Sequence, residues 1–308
     1  MTSKVKRNNT RKRKHRSRSK KNTRKLKKMQ CGPEGNKRSY TCIRDKSICK
    51  LKTLWNKRHP DDKIKDGNIH ETWKNLKSRM NDVCDKESCW LTQQFSNNEM
   101  KNELRTAFAP KAPQEWKANP NQWLSSRDIT AVMKQYERRY KCFTFIGPSP
   151  IDYDTYKRYG ECVWEELCHF SLANEINNNK KKIGIVFNLD PHYKGGSHWV
   201  SLFINVDRGL IFFFDSVGDR VPEKIKQFVE EVTLQGRQLS GKLKPIKFKF
   251  DENHPFEHQY EDTECGIYSL FFIISLLEDT HKEEYFKKNR ITDKCIERFR
   301  KIYFNEDL

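Results

Sequence analysis

The first 28 residues contain no aspartate or glutamate. They hold 15 of the chain's 61 lysines and arginines, against 41 acids in all, so a formal charge of +20 falls to +5 once this tail is set aside. Val5 and Leu26 are its only aliphatic residues. So little apolar surface cannot offset the entropy lost on ordering, and a disordered basic tail is expected over residues 1–30. Nowhere in the 308 residues is there a run of 18 apolar positions, and the tail lacks the apolar stretch of a secretory signal. A soluble, intracellular protein with no membrane partner is expected.

Also missing are Cys-x2-Cys pairs. Ten cysteines are present, but pairs such as Cys84-x4-Cys89 and Cys42-x6-Cys49 are spaced more widely, with no histidine pair beside them. That speaks against structural zinc, and no metal or cofactor is called for. Ten cysteines in a chain of this size are too sparse for a disulfide scaffold, so reduced thiols are expected, mostly in the core. No internal repeat is visible.

Residues 31–108 read as a helical module. Ile48, Leu51 and Trp55 recur at helical spacing, as do Trp73, Leu76, Met80 and Val83, with a breaker at His59-Pro-Asp-Asp62 between them. Pro110, Pro113 and Pro120 mark a linker, or an extended segment lying across the next domain, over 109–122. The domain expected over 123–308 begins with a helix that Ser125 and Asp128 open in capping-box fashion, with Ile129, Val132, Met133 and Tyr136 on one face. Strands are predicted from Ile183 to Leu189, His198 to Val206 and Leu210 to Phe214, the last two joined as a hairpin by Asp207-Arg-Gly209. A helix follows Pro222, a further strand spans Lys242 to Phe250, and residues 266–277 are apolar all round, as in a buried helix. Strands in the middle, helices at both ends and meander connections indicate an α+β fold.

Three residues form a chemical constellation. His198 begins one hairpin strand and Asp215 ends the other; paired strands lie roughly 5 Å apart, so the two side chains can hydrogen-bond. Cys265 precedes the buried helix, where unpaired N–H groups and the helix dipole stabilise a thiolate. Its backbone N–H and the side-chain amide of Gln259 are natural donors to an oxyanion. Each residue alone is as easily a packing or turn residue.

The surrounding blocks add more. Gly196-Ser-His-Trp-Val-Ser-Leu-Phe203, Phe213-Phe-Asp-Ser216 and Gln259-Tyr-Glu-Asp-Thr-Glu-Cys-Gly-Ile-Tyr268 resemble, in order and interval, the His-Trp, Asp-Ser and Gln-x5-Cys-Gly blocks of the SUMO-protease and adenovirus-proteinase superfamily. Trp123-Leu-Ser-Ser126 is similar to the Trp-Leu-Asn-Asp start of the SUMO-protease catalytic domain. Thr263 to Phe272, Arg290-Ile-Thr-Asp293 with Phe299-Arg300, and Cys84 to Cys89 resemble the African swine fever virus SUMO-like polyprotein protease and its relatives in large DNA viruses.

The resemblance implies a papain-like cysteine protease core. Cys265 would be the nucleophile, His198 the base and then the acid, Asp215 its orienter and Gln259 an oxyanion donor. Trp123 and Trp199 would line a narrow channel for a Gly-Gly terminus. The chain departs from the pattern at Ser126, where SUMO proteases carry Asp, and at Asp215, where the swine fever relative carries Asn. The expected activity is cleavage after Gly-Gly in viral structural precursors during virion maturation. SUMO or ubiquitin isopeptidase, acyltransferase and non-catalytic nucleic-acid-binding scaffold remain the alternatives. The tail is expected to hold nucleic acid without sequence preference, placing the protein in virions and the cytoplasmic viral factory, with nuclear import as the rival reading.

Overall fold

The computed structural model describes residues 26–36, 38–157 and 159–306, so most of the expected disordered tail lies outside the described residues. Its last part does not behave as expected. Leu26 packs against the helical module, Met29 is buried, and the Lys27 N–H donates to the Asp85 carbonyl at 2.7 Å. Met29 supplies the apolar anchor that a count of aliphatic residues overlooked.

The module consists of α1 (Asp45–Arg58), α2 (Ile69–Met80), the short α3 (Glu87–Trp90) and α4 (Asn98–Ala107). The faces read from the sequence are the buried ones: Ile48, Leu51 and Trp55 on α1, and Trp73, Leu76 and Met80 on α2. Val83 is instead exposed, because α2 ends at Met80.

After the module come α5 (Ser126–Arg139), β1 (Phe143–Pro150), α6 (Glu165–Cys168), α7 (Leu172–Asn177), β2 (Lys182–Asn188), β3 (Trp199–Asn205) and β4 (Leu210–Phe214). Then follow α8 (Glu223–Gln238), β5 (Lys249–Glu252), α9 (Cys265–Leu277), α10 (Glu283–Lys288) and α11 (Asp293–Tyr303). Ser125 caps α5 in the expected capping box with Asp128.

The strands form one sheet in the order β1-β2-β3-β4-β5. Only its centre is a meander: β2, β3 and β4 pair antiparallel, whereas β1 pairs with β2 and β5 with β4 in parallel, through helical crossovers. β1 escaped sequence reading because Gly147, Pro148 and Pro150 look like breakers; an edge position tolerates the missing N–H groups. β5 is also shorter and later than the strand expected over Lys242 to Phe250. Pro245 interrupts that alternation, and the segment before Lys249 stays a loop.

Strand residues alternate between two apolar layers. Phe203, Phe212 and Phe214 face α5, α9 and α11, whereas Val200, Leu202, Ile204 and Phe213 face α7 and α8. Every residue of α9 is buried.

The segment 109–122 is no free tether. Lys111 bridges Asn305, Trp116 stacks edge-on against Phe304 at 5.2 Å, and the Trp116 indole donates to the Gln122 carbonyl at 2.9 Å. Asn305 joins the segment after α11 to those before and after the module: its amide nitrogen donates to the carbonyls of Gln30 (3.0 Å) and Ala109 (2.8 Å), and its Oδ1 accepts from the Gln30 N–H at 2.8 Å.

The expectation of reduced thiols is corrected for six cysteines. Cys31–Cys42, Cys84–Cys89 and Cys162–Cys168 are disulfides, with Cα separations of 5.1, 5.6 and 6.3 Å. These lie within the range a disulfide spans. The turns that bring them together are tertiary features to which cysteine spacing is blind. Cys49, Cys142, Cys265 and Cys295 are free.

Replacing Asn305 with alanine strands buried backbone groups of Gln30 and Ala109. A loss of about 1–3 kcal/mol is expected in chemical denaturation, against almost none for Lys301→Ala on the exposed face of α11.

Candidate active site

β3 and β4 run antiparallel with Ser201 opposite Phe214, so the residue before β3 and the residue after β4 emerge at the same end of the sheet. These are His198 and Asp215. The His198 Nε2–H donates to Asp215 Oδ1 at 2.7 Å. Asp215 is buried and has little freedom: its N–H donates to Asn253 Oδ1 at 2.9 Å, the Asn253 amide donates back to its carbonyl at 2.7 Å, and the Val217 N–H donates to its Oδ1 at 3.0 Å.

The approach to His198 is equally fixed. Asn188 Oδ1 accepts from the N–H groups of Asp190 (2.9 Å) and Ser197 (3.2 Å), tying down the loop between β2 and β3. Gly196 sits there at φ +94°, and a Cβ would lie 2.8 Å from the Asn188 amide nitrogen. Glycine is the residue this turn accepts.

Cys265 opens α9, the helix packed along β3. Its thiol is the other group that acts on the His198 imidazole. Burial alone would push the imidazole toward its neutral form. The hydrogen bonds to Asp215 and Cys265, with their charges, overcome this and hold His198 up to about 10. A protonated imidazole beside a sulfur at a helix N-terminus sets a positive charge next to the reacting atom. No side chain caps α9, so the N–H groups of its first turn, Cys265 included, have no side-chain acceptor.

Gly266 allows the close approach on which the site depends. A Cβ there would come within 3.0 Å of the Leu124 side chain and 3.3 Å of the Trp199 indole. Trp199 is fixed in turn by donating its Nε1–H to the Leu124 carbonyl at 3.0 Å. Trp199 and the half-exposed Trp123 both line a cleft of about 690 Å³, together with Ser125, Pro148, Trp164 and Asp190.

The structure thus brings His198, Asp215 and Cys265 together and sets both tryptophans in the adjoining cleft. Gln259 is more constrained than the sequence implied. Its Oε1 accepts from the Ser216 hydroxyl at 2.7 Å, and its amide nitrogen already donates to the Glu261 carbonyl. One amide hydrogen is left for another acceptor.

Sequence reasoning missed Asn253, Asn188 and Ser216 as the groups that orient this machinery. Buried polar residues acting on backbone atoms carry no spacing signal. It also gave no role to Glu264, which is fully buried and ion-paired with Arg300. A larger cavity, about 880 Å³, lies beyond Pro120 and Asn121 among lysines of the module and of α11. Neither cavity is lined by His198, Asp215 or Cys265 themselves; the smaller one reaches them through Gly196 and Trp199, the chain neighbours of Ser197 and His198. Among the described residues one cluster has metal-ligand spacing, Cys162, Cys168 and His169, but its two sulfurs are bonded to each other.

A thiol beside an imidazole that is hydrogen-bonded to a carboxylate, at the end of the central strands of a mixed sheet, defines a cysteine peptidase. Comparison with known proteins places it further. Residues 121–308 match the Ulp1 protease family, C-terminal catalytic domain, and the chain belongs to that family. A protein of Acanthamoeba polyphaga mimivirus, named as a thiol protease, is 28% identical over 236 residues, covering 75% of this chain and 73% of the relative. A cysteine protease of African swine fever virus is 26% identical over 236 residues, covering 72% and 83%. A crystal structure of the African swine fever virus protease shares the fold, with a TM-score of 0.63 at 22% identity over 90% of this chain and 95% of that one.

The raised His198 pKa has a consequence for stability. The pair with Asp215 stabilises the fold fully below the unfolded imidazole value of about 6.5. That contribution fades as pH rises through about 10. Urea midpoints should therefore fall across this interval in the wild type, and the part of the fall due to the pair should vanish in Asp215→Asn.

Proposed function

We propose that the chain is a viral endopeptidase that cleaves after Gly-Gly in structural precursor proteins during virion maturation. The observation that carries this reading is the position of Trp123 and Trp199 in the cleft beside the Cys265–His198–Asp215 series. A slot walled by indoles admits glycine and excludes residues with bulky Cβ substituents.

In this reading the Cys265 thiolate attacks the scissile carbonyl carbon, forming a C–S bond and a tetrahedral oxyanion. The backbone N–H of Cys265 and the remaining amide hydrogen of Gln259 stabilise it. Collapse breaks the C–N bond, and the leaving amine takes the proton from His198. His198, now neutral, removes a proton from water, which attacks the thioester and releases the carboxylic acid and the Cys265 sulfur. Asp215 keeps Nε2 protonated throughout and stabilises the imidazolium.

A second reading, removal of SUMO or a similar protein from conjugates, draws support from the family match and from an African swine fever virus relative named as a SUMO-1 cysteine protease. The absence of Asp at Ser126 favours the precursor reading, because a polar contact toward a ubiquitin-like partner is lost. The basic tail, outside the described residues for its first 25 positions, would recruit the enzyme to nucleic acid in the virion and viral factory.

Incubation with a Gly-Gly-Xaa peptide, a SUMO–fluorophore conjugate and a ubiquitin–fluorophore conjugate separates these readings. Peptide cleavage is expected, falling by about a thousandfold or more in Cys265→Ala. Turnover of the folded conjugates alone would favour the isopeptidase, and no Cys265-dependent turnover of any substrate would leave a non-catalytic scaffold. Deleting residues 1–25, which spares Leu26 and Lys27 and their contacts with the module, is expected to abolish salt-sensitive nucleic-acid binding while leaving peptide cleavage intact; unchanged binding would remove the recruitment role.

A further inference from the structure

Glu264 is the residue before Cys265 and occupies the N-cap position of α9, yet its side chain makes no cap. A carboxylate here is drawn electrostatically to the first-turn N–H groups. Instead it is fully buried and turned away to Arg300 of α11: Arg300 Nε lies 3.0 and 2.9 Å from its two oxygens, and a terminal guanidinium nitrogen 2.7 Å from Oε1. The same guanidinium donates to the carbonyls of Gln122 (2.8 Å), Thr263 (3.2 Å) and Asn121 (3.4 Å), and it stacks over Trp116 with its central carbon 4.5 Å from the ring.

Arg300 therefore grips two segments at once. One, Thr263–Glu264, leads into the sulfur; the other, Asn121–Gln122, leads into Trp123 of the cleft. We infer that Arg300 is a positioning residue whose task is to hold the Glu264 carboxylate off the N-terminus of α9, leaving the Cys265 N–H free for the oxyanion and the thiolate free of an unscreened negative neighbour. This rests on the reading of Cys265 as nucleophile given above.

The electrostatic argument is local. The charged groups that the argument involves are His198, hydrogen-bonded to Asp215, from the sheet; Glu264 from the loop before Cys265; and Arg300 from α11, ion-paired with Glu264. Glu261 and Asp262 in that loop are exposed. With Arg300 in place, Glu264 is neutralised by a buried partner. Without it, a buried carboxylate one residue from the sulfur keeps only the Thr263 hydroxyl, at 3.2 Å, and the helix N–H groups to turn to. It would then occupy the oxyanion donors and disfavour the thiolate, two effects with one cause.

The test uses the full chain and four variants: Arg300→Met, Arg300→Lys, Glu264→Gln and the double variant Arg300→Met/Glu264→Gln. The rate of Cys265 alkylation by iodoacetamide is followed against pH by peptide mass mapping, which resolves it from Cys49, Cys142 and Cys295. This readout needs no substrate, so its outcome is independent of whether the enzyme prefers Gly-Gly precursors. kcat and KM are then measured on the Gly-Gly peptide.

Arg300→Met is expected to lower kcat by about tenfold or more, and to move the acid limb of both profiles to higher pH. Glu264→Gln should stay within about threefold of wild type and, added to Arg300→Met, should restore kcat and the acid limb. Arg300→Lys, which keeps the charge but not the fork, is expected to fall between and to stand in if Arg300→Met fails to fold by circular dichroism. A double variant as impaired as Arg300→Met, or an unmoved acid limb in both Arg300 variants, would overturn the inference and leave Arg300 a packing residue.

Discussion

A helix that is apolar on every side has to be enclosed on every side, and α9 is such a helix. At about 1.5–3 kcal/mol for each large side chain removed from water, burying its leucines, isoleucines and phenylalanines outweighs any local preference. The sheet covers one flank, through Phe203, Phe212 and Phe214, and α5 and α11 cover the others. The enclosure leaves α9 a single position, and Cys265 at its first turn inherits that position. Other groups around the sulfur come from elements that pack against it: Trp199 from β3 with His198 just before it, Leu124 from the segment that leads into α5, and Arg300 from α11.

The central hairpin supplies the second constraint. Two antiparallel strands of matched register bring the residues beyond their shared end within reach of each other, and His198 and Asp215 stand there. What the sheet leaves loose, buried amides secure. Asn253 grips the backbone of Asp215 from both sides, and Asn188 holds the turn that delivers His198. Rigidity is thus built from side chains that do not react, around an imidazole whose proton must move.

The sequence was readable where one physical signal dominated. Short runs rich in β-branched and aromatic residues located β2, β3 and β4; uniform apolarity located α9; Ser125 with Asp128 located the start of α5. From those elements and the three motif blocks, the meeting of His198, Asp215 and Cys265 could be anticipated. Where signals conflicted, reading failed. Gly147 and Pro148 hid an edge strand, Pro245 displaced another, and parallel outer pairings leave no local trace. The disulfides and the Arg300–Glu264 pair join residues brought together only by the finished fold, so they lay beyond any one-dimensional pattern.

The three disulfides share the molecule with the sulfur proposed as its nucleophile, which acts only as a free thiol. Two of them, Cys31–Cys42 and Cys84–Cys89, lie in the helical module and the segment that enters it, and the third closes the loop that carries Val163 and Trp164 to the cleft. One chemical condition therefore acts on them in opposite senses. Reductant that preserves Cys265 also opens the bridges, whereas oxidant that closes them exposes Cys265 to sulfenic acid formation. The redox state of its surroundings, as well as the presence of a cleavage site, thus sets when such a chain is both intact and competent.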